Sequence, residues 1–391
     1  MEPFVFHNLT RFVFGPDAEQ QAGEEIARLG LKRLLLVYGQ GSVERSGLLD
    51  RVKVSLGAHE ISWLPLGGVL PNPLSDKVYE GIKLCRDEGV DGVLAIGGGS
   101  AIDTAKAIAH GVHYDGDFWD LFSGKASATG ALPVICVPTI AAAGSESSNS
   151  AVITHDQLQL KRGLRSEYNR PKLSLMNPRL TYTVPAIQKA YGIADMMAHI
   201  FERYFTNTKS VLLTDELCEG VLRTVIKAGP KALKHPEDYD AHADLMWAGT
   251  LAHNDTLSTG RQQDWSSHAM AHAISARYDA PHGGVLAVLF PYWMKYQLDH
   301  DVDRFKQFAV KVMRVKPDDK DKPKRTAEEG IAKLRGFFNK LGLPDRLSEL
   351  GVKEEDLPQL VKEAPFHAQG KLGFFSPLSA DDVMAIYRKA L

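Results

Sequence analysis

The chain has 391 residues, of which 44% are hydrophobic and 24% charged, and its formal net charge is -2. This length and composition predict a globular protein with one large domain or two smaller ones. Because the net charge is small and no block of basic residues occurs, nothing indicates a nucleic-acid or membrane-surface partner.

No membrane span or signal peptide is expected. The longest apolar run, residues 284–294, is much shorter than the roughly 20 residues that cross a bilayer, and the N-terminus lacks a basic start and an apolar stretch. Cys85, Cys136 and Cys218 are far apart and form no CxxC motif, so we expect small core residues in a reducing compartment. The sequence therefore predicts a cytoplasmic location.

The first half of the chain alternates between strand-like and helix-like segments. A short strand pair is expected at residues 4–14, and buried parallel strands are expected at 33–38, 60–66, 93–96 and 132–137. Four segments have helical spacing. They are residues 17–29, a segment after Ser42 that ends at about 56, a segment that begins at Ser75, and a segment that begins at about 101. This alternation predicts βαβ units and a parallel sheet that binds ligands at the carboxyl ends of its strands.

Beyond Pro185 the pattern is helical. Helices are predicted at 186–205, 212–228, 241–254, 265–277, 304–312, 326–341 and 380–391. Residues 316–325 read as a charged surface loop, and Thr326 with Glu329 matches a capping box. The predicted fold is an α/β dinucleotide-binding domain over residues 1–185, followed by an all-α metal-binding domain over 186–391.

A glycine-rich loop, GGGSAIDTAK at residues 97–106, lies between a predicted strand and a predicted helix. Its glycines would let a phosphate approach the backbone at the helix N-terminus, and Ser100 adds a hydroxyl. The strand at 33–38 ends without an acidic residue, and Gly39, Gly41 and Ser42 follow. A strand end without an acidic residue does not repel a 2′-phosphate, so this sequence favours NADP(H) over NAD(H). Either loop could instead be a tight turn that needs glycine for its geometry.

Histidines gather in the stretch that runs from Asp264 to Gly283. His268 and His272 are four residues apart, which places both on one helix face, and His282 stands after a proline and before two glycines, where the helix has ended and the chain turns. Asp195 and His199 have the same four-residue spacing. Together they predict a divalent-metal site, although the residues alone leave open which histidines are ligands and whether some only pack or solvate a helix face.

Six motifs together resemble the iron-containing (group III) alcohol dehydrogenase family, and within it the NADPH-dependent butanol dehydrogenases and broad-range aldehyde reductases. They occur in the family's order: VYGQGSVERSG, PNP at 71–73, GGGSAIDTAK, PTIAAAGSES, GIADMMAH and HAMAHAISARYDAPHG. The chain departs from the family's usual TAGTGSE loop, since it reads IAAAGSE and places Ala143 where a hydroxyl residue is expected.

The resemblance implies a site residue by residue. It makes Asp195, His199, His268 and His282 the ligands of Fe²⁺ or Zn²⁺, and it places His272 beside the metal, either as a proton relay or as a ring that only packs. The loop residues Gly97, Gly98, Gly99, Ser100 and Asp103 would hold the pyrophosphate region. Asn72, Thr139, Ser145 and Lys161 would line the nucleotide cleft, and Gly39, Gly41 and Ser42 would surround the 2′-phosphate.

The resemblance also implies an activity. We expect a dehydroquinate synthase-like fold that transfers hydride between NADPH and short- to medium-chain aldehydes such as butanal, in a homodimer. Two alternatives remain open at this stage. One is an NAD-linked glycerol dehydrogenase of the same fold, and the other is a nucleotide- and metal-binding protein without turnover.

Overall fold

The computed structural model describes residues 1–158, 160–317 and 322–391. The chain forms two compact units: His7–Val184, and Pro185–Leu391 together with Met1–Phe6. The division drawn from the sequence lies one residue further along at the junction and assigns the first six residues to the other unit.

A six-stranded parallel sheet forms the centre of the first unit, in the order β1-β8-β5-β4-β2-β3, and β6 and β7 form a separate antiparallel pair. The strands are β1 (Arg11–Phe14), β2 (Arg33–Gly39), β3 (Ser62–Val69), β4 (Gly92–Gly97), β5 (Val134–Pro138), β6 (Ser150–His155), β7 (Leu160–Arg165) and β8 (Leu173–Met176). The predicted α/β class with a parallel sheet is confirmed.

Helices cover both faces of this sheet. They are α1 (Ala22–Arg28), α2 (Ser42–Arg45), α3 (Leu48–Gly57), α4 (Ser75–Glu88), α5 (Gly99–His113) and α6 (Trp119–Ser123). Successive residues of a strand point to opposite faces, so Leu35 and Val37 join the core with α4 and α5. Leu34 and Leu36 join a second core with α1 and α3. Both faces are therefore apolar, which explains the continuous apolar runs in the sequence.

The N-terminal strand pair expected at residues 4–14 is wrong. Only Arg11–Phe14 forms a strand, and it pairs in parallel with β8. The sequence analysis also missed β8, which has four residues, and the β6–β7 hairpin, whose second strand reads LKRGLR. Neither segment is long or apolar enough to show a strand pattern of its own.

The second unit is helical in the part that the structure describes. Its α-helices are α7 (Ala186–Tyr204), α8 (Leu212–Lys234), α9 (Tyr239–His253), α10 (Ser266–Tyr278), α11 (His282–Gln297), α12 (Val302–Lys311), α13 (Pro323–Lys340), α14 (Leu357–Glu363) and α15 (Ala380–Ala390). None of the helices that could be searched across both units is both long and apolar enough to span a bilayer.

Two local expectations in this unit need correction. Helix α13 begins at Pro323, with Lys322 as its N-cap residue, so Thr326 lies inside the helix and the predicted capping box does not exist. The predicted surface loop at 316–325 includes residues 318–321, which lie outside the described residues. Helix α11 was missed altogether, because two glycines and Pro291 interrupt its apolar sequence.

Candidate metal centre

Helix α7 contributes the first pair of candidate ligands. Asp195 and His199 are one turn apart, and Asp195 Oδ1 lies 3.6 Å from His199 Nε2. His199 is buried and Asp195 is partly buried. The spacing that the sequence showed therefore becomes a shared face that points into the unit.

Helix α10 brings His268 to this pair. The ring centroids of His268 and His199 are 4.5 Å apart. Ligand atoms of Asp195, His268 and His282 all lie within 4.8 Å of one another, a distance that suits donors around one cation. The structure therefore brings three of the four predicted ligands together from three helices, and His199 lies beside them.

His282 reaches the cluster in a way that the sequence did not predict. It is not in a turn but is the first residue of α11, directly after Pro281. A Cβ on Gly283 would lie 2.1 Å from the carbonyl oxygen of Tyr191, a backbone atom of α7. The glycines after His282 thus serve the close approach of two helices, which brings the start of α11 against α7.

The histidines at the centre of the cluster are held in their neutral form. Burial, followed by the positive charge of Arg203, lowers the pKa of His268 to about 3. Burial, followed by the neighbouring His253 and His268, lowers the pKa of His199 well below its usual range. Neutral imidazole is the form that binds metal, and His268 Nε2 is buried with no hydrogen-bond partner. This donor set fits a divalent cation.

His272 lies beside the cluster. Its ring centroid is 5.2 Å from that of His282, and the side chain is partly buried. Like His199, it is outside the group whose ligand atoms all lie within 4.8 Å of one another, which consists of Asp195, His268 and His282. The role of His272 beside the metal therefore stays a prediction.

Two further residues at the cluster were missed by the sequence analysis. The ring of His253, at the end of α9, is 4.2 Å from that of His199. Glu202 on α7 contacts His268, and burial, opposed by backbone N–H donors, raises the pKa of Glu202 to about 8. Glu202 follows His199 by three residues, so helical spacing could have indicated it, whereas nothing local indicates His253.

The glycine-rich loop opens α5. Gly98 is the N-cap residue, Gly99 begins the helix, and a Cβ on Gly99 would meet no heavy atom within 4 Å. The backbone of Thr139, after β5, donates to Gly97 O at 3.0 Å. Because β4 and β5 are neighbours, these loops share the carboxyl edge of the sheet, as the sequence predicts.

Side chains predicted to line the nucleotide site pair with one another. Lys161 Nζ donates to Asn72 Oδ1 at 2.8 Å, and Ser145 Oγ donates to Asp103 Oδ1 at 2.6 Å. Asp103 also accepts from the Val152 amide at 3.0 Å. Asp103 is thus engaged by Ser145 and by the start of the β6–β7 pair.

The loop after β2 has charges that the sequence analysis did not weigh. Gly41 has a φ of 98°, in the left-handed region that favours glycine. A Cβ there would lie 3.3 Å from both the Glu44 carboxylate and the Arg45 guanidinium. Burial, and then the negative charge of Glu44, raise the pKa of Tyr38 at the end of β2. An acidic and a basic side chain therefore lie beside Gly41.

Comparison with known families gives two matches that together cover most of the chain. Residues 10–178 match the family described as iron-containing alcohol dehydrogenase. Residues 189–391 match the C-terminal part of the Fe-containing alcohol dehydrogenase family.

Individual relatives match over their whole length. The chain is 42% identical to the NADH-dependent butanol dehydrogenase A of Clostridium acetobutylicum, and the match covers 100% of both chains. It is 34% identical to the NADPH-dependent aldehyde reductase of Escherichia coli (strain K12), again over 100% of both. The crystal structure of NADH-dependent butanol dehydrogenase A from Thermotoga maritima superposes with a TM-score of 0.95 at 38% identity, covering 100% of this chain and 99% of that one.

Proposed function

The chain belongs to the iron-containing alcohol dehydrogenase family, and from this premise we propose that it reduces short- to medium-chain aldehydes such as butanal with hydride from NADPH. Membership of the family makes it an alcohol dehydrogenase that uses a nicotinamide cofactor and a divalent metal. The observation that carries the proposal is the convergence of the donor atoms of Asp195, His268 and His282 within 4.8 Å.

We propose that Asp195, His199, His268 and His282 hold Fe²⁺ or Zn²⁺. A cation bound there supplies Lewis-acid polarisation of a substrate carbonyl oxygen. The chain prepares for this by keeping His199 and His268 neutral through burial, so that no proton competes for their lone pairs at neutral pH. Asp195 contributes the negative charge that such a donor set needs.

His272 is our proposed proton relay. Its ring lies 5.2 Å from that of His282, next to the converging ligands, and it is only partly buried. A partly exposed imidazole can take a proton from solvent on one side and deliver it to a nascent alkoxide on the other. In the oxidation direction the same ring would carry the proton of the alcohol away.

The first unit would bind the nucleotide. Gly98, Gly99 and Ser100 at the start of α5 offer free backbone N–H groups and the positive end of the helix dipole to a pyrophosphate. Gly97 and Thr139 shape this edge, Asp103 holds Ser145, and Lys161 is paired with Asn72. A nicotinamide bound there carries the hydride.

NADPH is proposed because β2 ends at Gly39 without the carboxylate that would bind a ribose 2′-hydroxyl, and Gly41 and Ser42 follow it. Arg45 lies close enough to Gly41 to pair with a 2′-phosphate. NADH is a second candidate, since the Clostridium acetobutylicum relative is named NADH-dependent. The Glu44 carboxylate near Gly41 would also repel a 2′-phosphate.

We also propose a homodimer. Val5 is 96% exposed, and Phe4, Phe6 and Leu9 are exposed large apolar side chains in the same segment. The adjoining strand β1 lies at one edge of the parallel sheet. An apolar segment next to a sheet edge suits a second copy of the chain. The cytoplasmic location expected from the sequence stays a prediction.

The substrate and nucleotide are tested by the absorbance decrease of NADPH or NADH with butanal, and by oxidation of glycerol with NAD⁺. We expect butanal to be turned over with a higher kcat/KM for NADPH, and Arg45→Ala to lower that value roughly tenfold, the equivalent of one charge-assisted hydrogen bond. Arg28→Ala, on the exposed side of α1, is the control and should leave kcat/KM for NADPH unchanged. A higher kcat/KM with NADH would refute the NADPH preference, and faster turnover of glycerol than of butanal would favour a diol dehydrogenase.

A further inference from the structure

One buried carboxylate joins the two helices that carry most of the candidate ligands. We propose that Glu202 is a positioning residue for the metal ligand His268: it fixes the orientation and tautomer of the ring so that Nε2 faces the cation. The proposal rests on the metal site proposed above, and it assigns part of the cation affinity to a residue that is not itself a ligand. Glu202 is 1% exposed, so solvent does not compete for its oxygens.

The hydrogen bonds of Glu202 leave its carboxylate one orientation. Oε1 accepts from the backbone N–H of His268 at 3.0 Å and lies 2.8 Å from His268 Nδ1. Oε2 accepts from the backbone N–H of Trp265 at 2.7 Å. Both oxygens are therefore engaged by donors at the start of α10.

These contacts decide which ring nitrogen of His268 carries the proton. Oε1 accepts the backbone N–H of His268, and an ionised carboxylate has no proton to donate, so with Glu202 ionised Nδ1 is the donor in their contact. The neutral ring then presents a lone pair at Nε2. This atom is buried, has no hydrogen-bond partner and belongs to the residue whose ligand atom converges with those of Asp195 and His282. Carboxylate partners of this kind orient metal-binding histidines in proteins generally.

The position of Glu202 in the sequence explains how it can do this. It follows Asp195 by seven residues and His199 by three, so all three lie on one face of α7. Its carbonyl oxygen also accepts from the backbone N–H of Asp264, at 2.8 Å. One helix thus supplies two ligands directly and fixes the third by anchoring the beginning of α10.

Asp264 provides a matched control. It is a second buried carboxylate at the start of α10, and it accepts from the backbone N–H groups of Ser266 at 3.1 Å and Phe375 at 2.8 Å. The residues that donate backbone N–H groups to its carboxylate, Ser266, Phe374 and Phe375, are not candidate ligands. Replacing Asp264 should therefore reproduce the loss of a buried carboxylate near the helix start without releasing the His268 ring.

The test is competitive titration of purified, metal-free protein with Zn²⁺ against a chromogenic chelator, together with the visible absorption spectrum of the Co²⁺ form. We expect Glu202→Gln to weaken Zn²⁺ binding roughly 10- to 100-fold and to change the Co²⁺ spectrum. Asp264→Asn should lower the melting temperature but keep the wild-type affinity and spectrum. If Glu202→Gln does not fold, Glu202→Asp, whose carboxylate is withdrawn by one methylene, is measured in its place with the same expectation.

Three outcomes would overturn the proposal. One is a folded Glu202 variant that binds Zn²⁺ within twofold of wild type and keeps its Co²⁺ spectrum. Another is an Asp264→Asn variant that loses as much affinity as Glu202→Gln. Absence of Zn²⁺ and Co²⁺ binding by the wild-type protein would refute the proposed metal site itself, and the role of Glu202 would fall with it.

Discussion

Asp215 shows how single charged residues are stabilised inside the helical unit. Arg304 donates to both of its carboxylate oxygens, at 2.7 and 3.0 Å, and Arg261 donates to Oδ1 at 2.7 Å. Burial alone raises the pKa of Asp215, but the hydrogen bonds and charges of the two arginines outweigh it and hold the pKa below its usual range. The ionised form is therefore favoured by folding.

The sign of the pH dependence follows from that pKa. Because the folded protein holds Asp215 ionised to lower pH than the unfolded chain does, its contribution to stability is full above about pH 4 and is lost as the pH falls through the folded pKa. We expect Asp215→Asn to lower the free energy of unfolding at pH 7 by about 3 kcal/mol, since it leaves two buried arginines poorly paired. Urea unfolding between pH 7 and pH 3 measures both effects. A variant as stable as wild type at pH 7, or equally acid-sensitive, would contradict this account.

The candidate metal ligands His199 and His268 differ from Asp215, because folding favours their neutral form. His199 and His268 are buried as neutral rings, which lowers their pKa values, and His268 Nε2 has no hydrogen-bond partner. A buried polar atom without a partner costs stability unless a ligand satisfies it. Such a cost is understandable in a site that is completed by a cation.

Close packing of α11 against α7 determines the position of His282. The contact depends on Gly283, because a Cβ there would lie 2.1 Å from the backbone oxygen of Tyr191. Backbone cannot move aside as the end of a side chain can, so a larger residue must displace the start of α11. The packing of α11 against α7 thus determines the geometry of the candidate site at His282.

Gly283→Ala is therefore expected to lower the free energy of unfolding by about 1–3 kcal/mol through overpacking, and to weaken Zn²⁺ binding because His282 moves. Gly336→Ala is the control, since this glycine lies in α13 and a Cβ there meets no heavy atom within 4 Å. The control should leave Zn²⁺ binding unchanged and should match or exceed wild-type stability. Thermal unfolding and Zn²⁺ titration of both variants decide the matter, and a Gly283→Ala protein that behaves like Gly336→Ala would refute the coupling.

Local pattern explains which elements the sequence could predict. Strands β2, β4 and β5 are buried on both faces and appear as apolar runs, and the i, i+4 pairs that hold Asp195, His199, His268 and His272 need only one helix each. Helix α11 was missed because its glycines are required by a neighbour distant in sequence. Strand β8 owes its conformation to pairing with β1 and β5, which no local window contains.

Contacts between residues distant in sequence also limited what could be predicted of the candidate metal site. Glu202 lies in the predicted helical face, but its role depends on contacts 63 and 66 residues away along the chain. His253 comes from a fourth helix, α9, and only the folded unit shows its ring against that of His199. The sequence could thus indicate ligands delivered in pairs, whereas the residues that surround and orient them required the structure.

At the scale of the whole molecule, the proposed function assigns the nucleotide to one unit and the metal to the other. The first presents glycine-rich loops at the carboxyl edge of a parallel sheet, and the second gathers an acid and several neutral histidines from α7, α10 and α11. The full-length matches to butanol dehydrogenase and aldehyde reductase relatives fit this combination. Dependence of turnover on the cation is therefore the central claim.

The most direct test is NADPH oxidation with butanal by the protein as purified, after removal of metal with a chelator, and after Fe²⁺ or Zn²⁺ is restored. Elemental analysis of the same samples gives the metal content per chain. The account predicts that activity is lost together with the metal, that one of the two cations restores it, and that His268→Ala neither retains metal nor recovers. Full turnover after chelation, in protein that contains no metal, would contradict it and leave the histidine cluster as a structural feature.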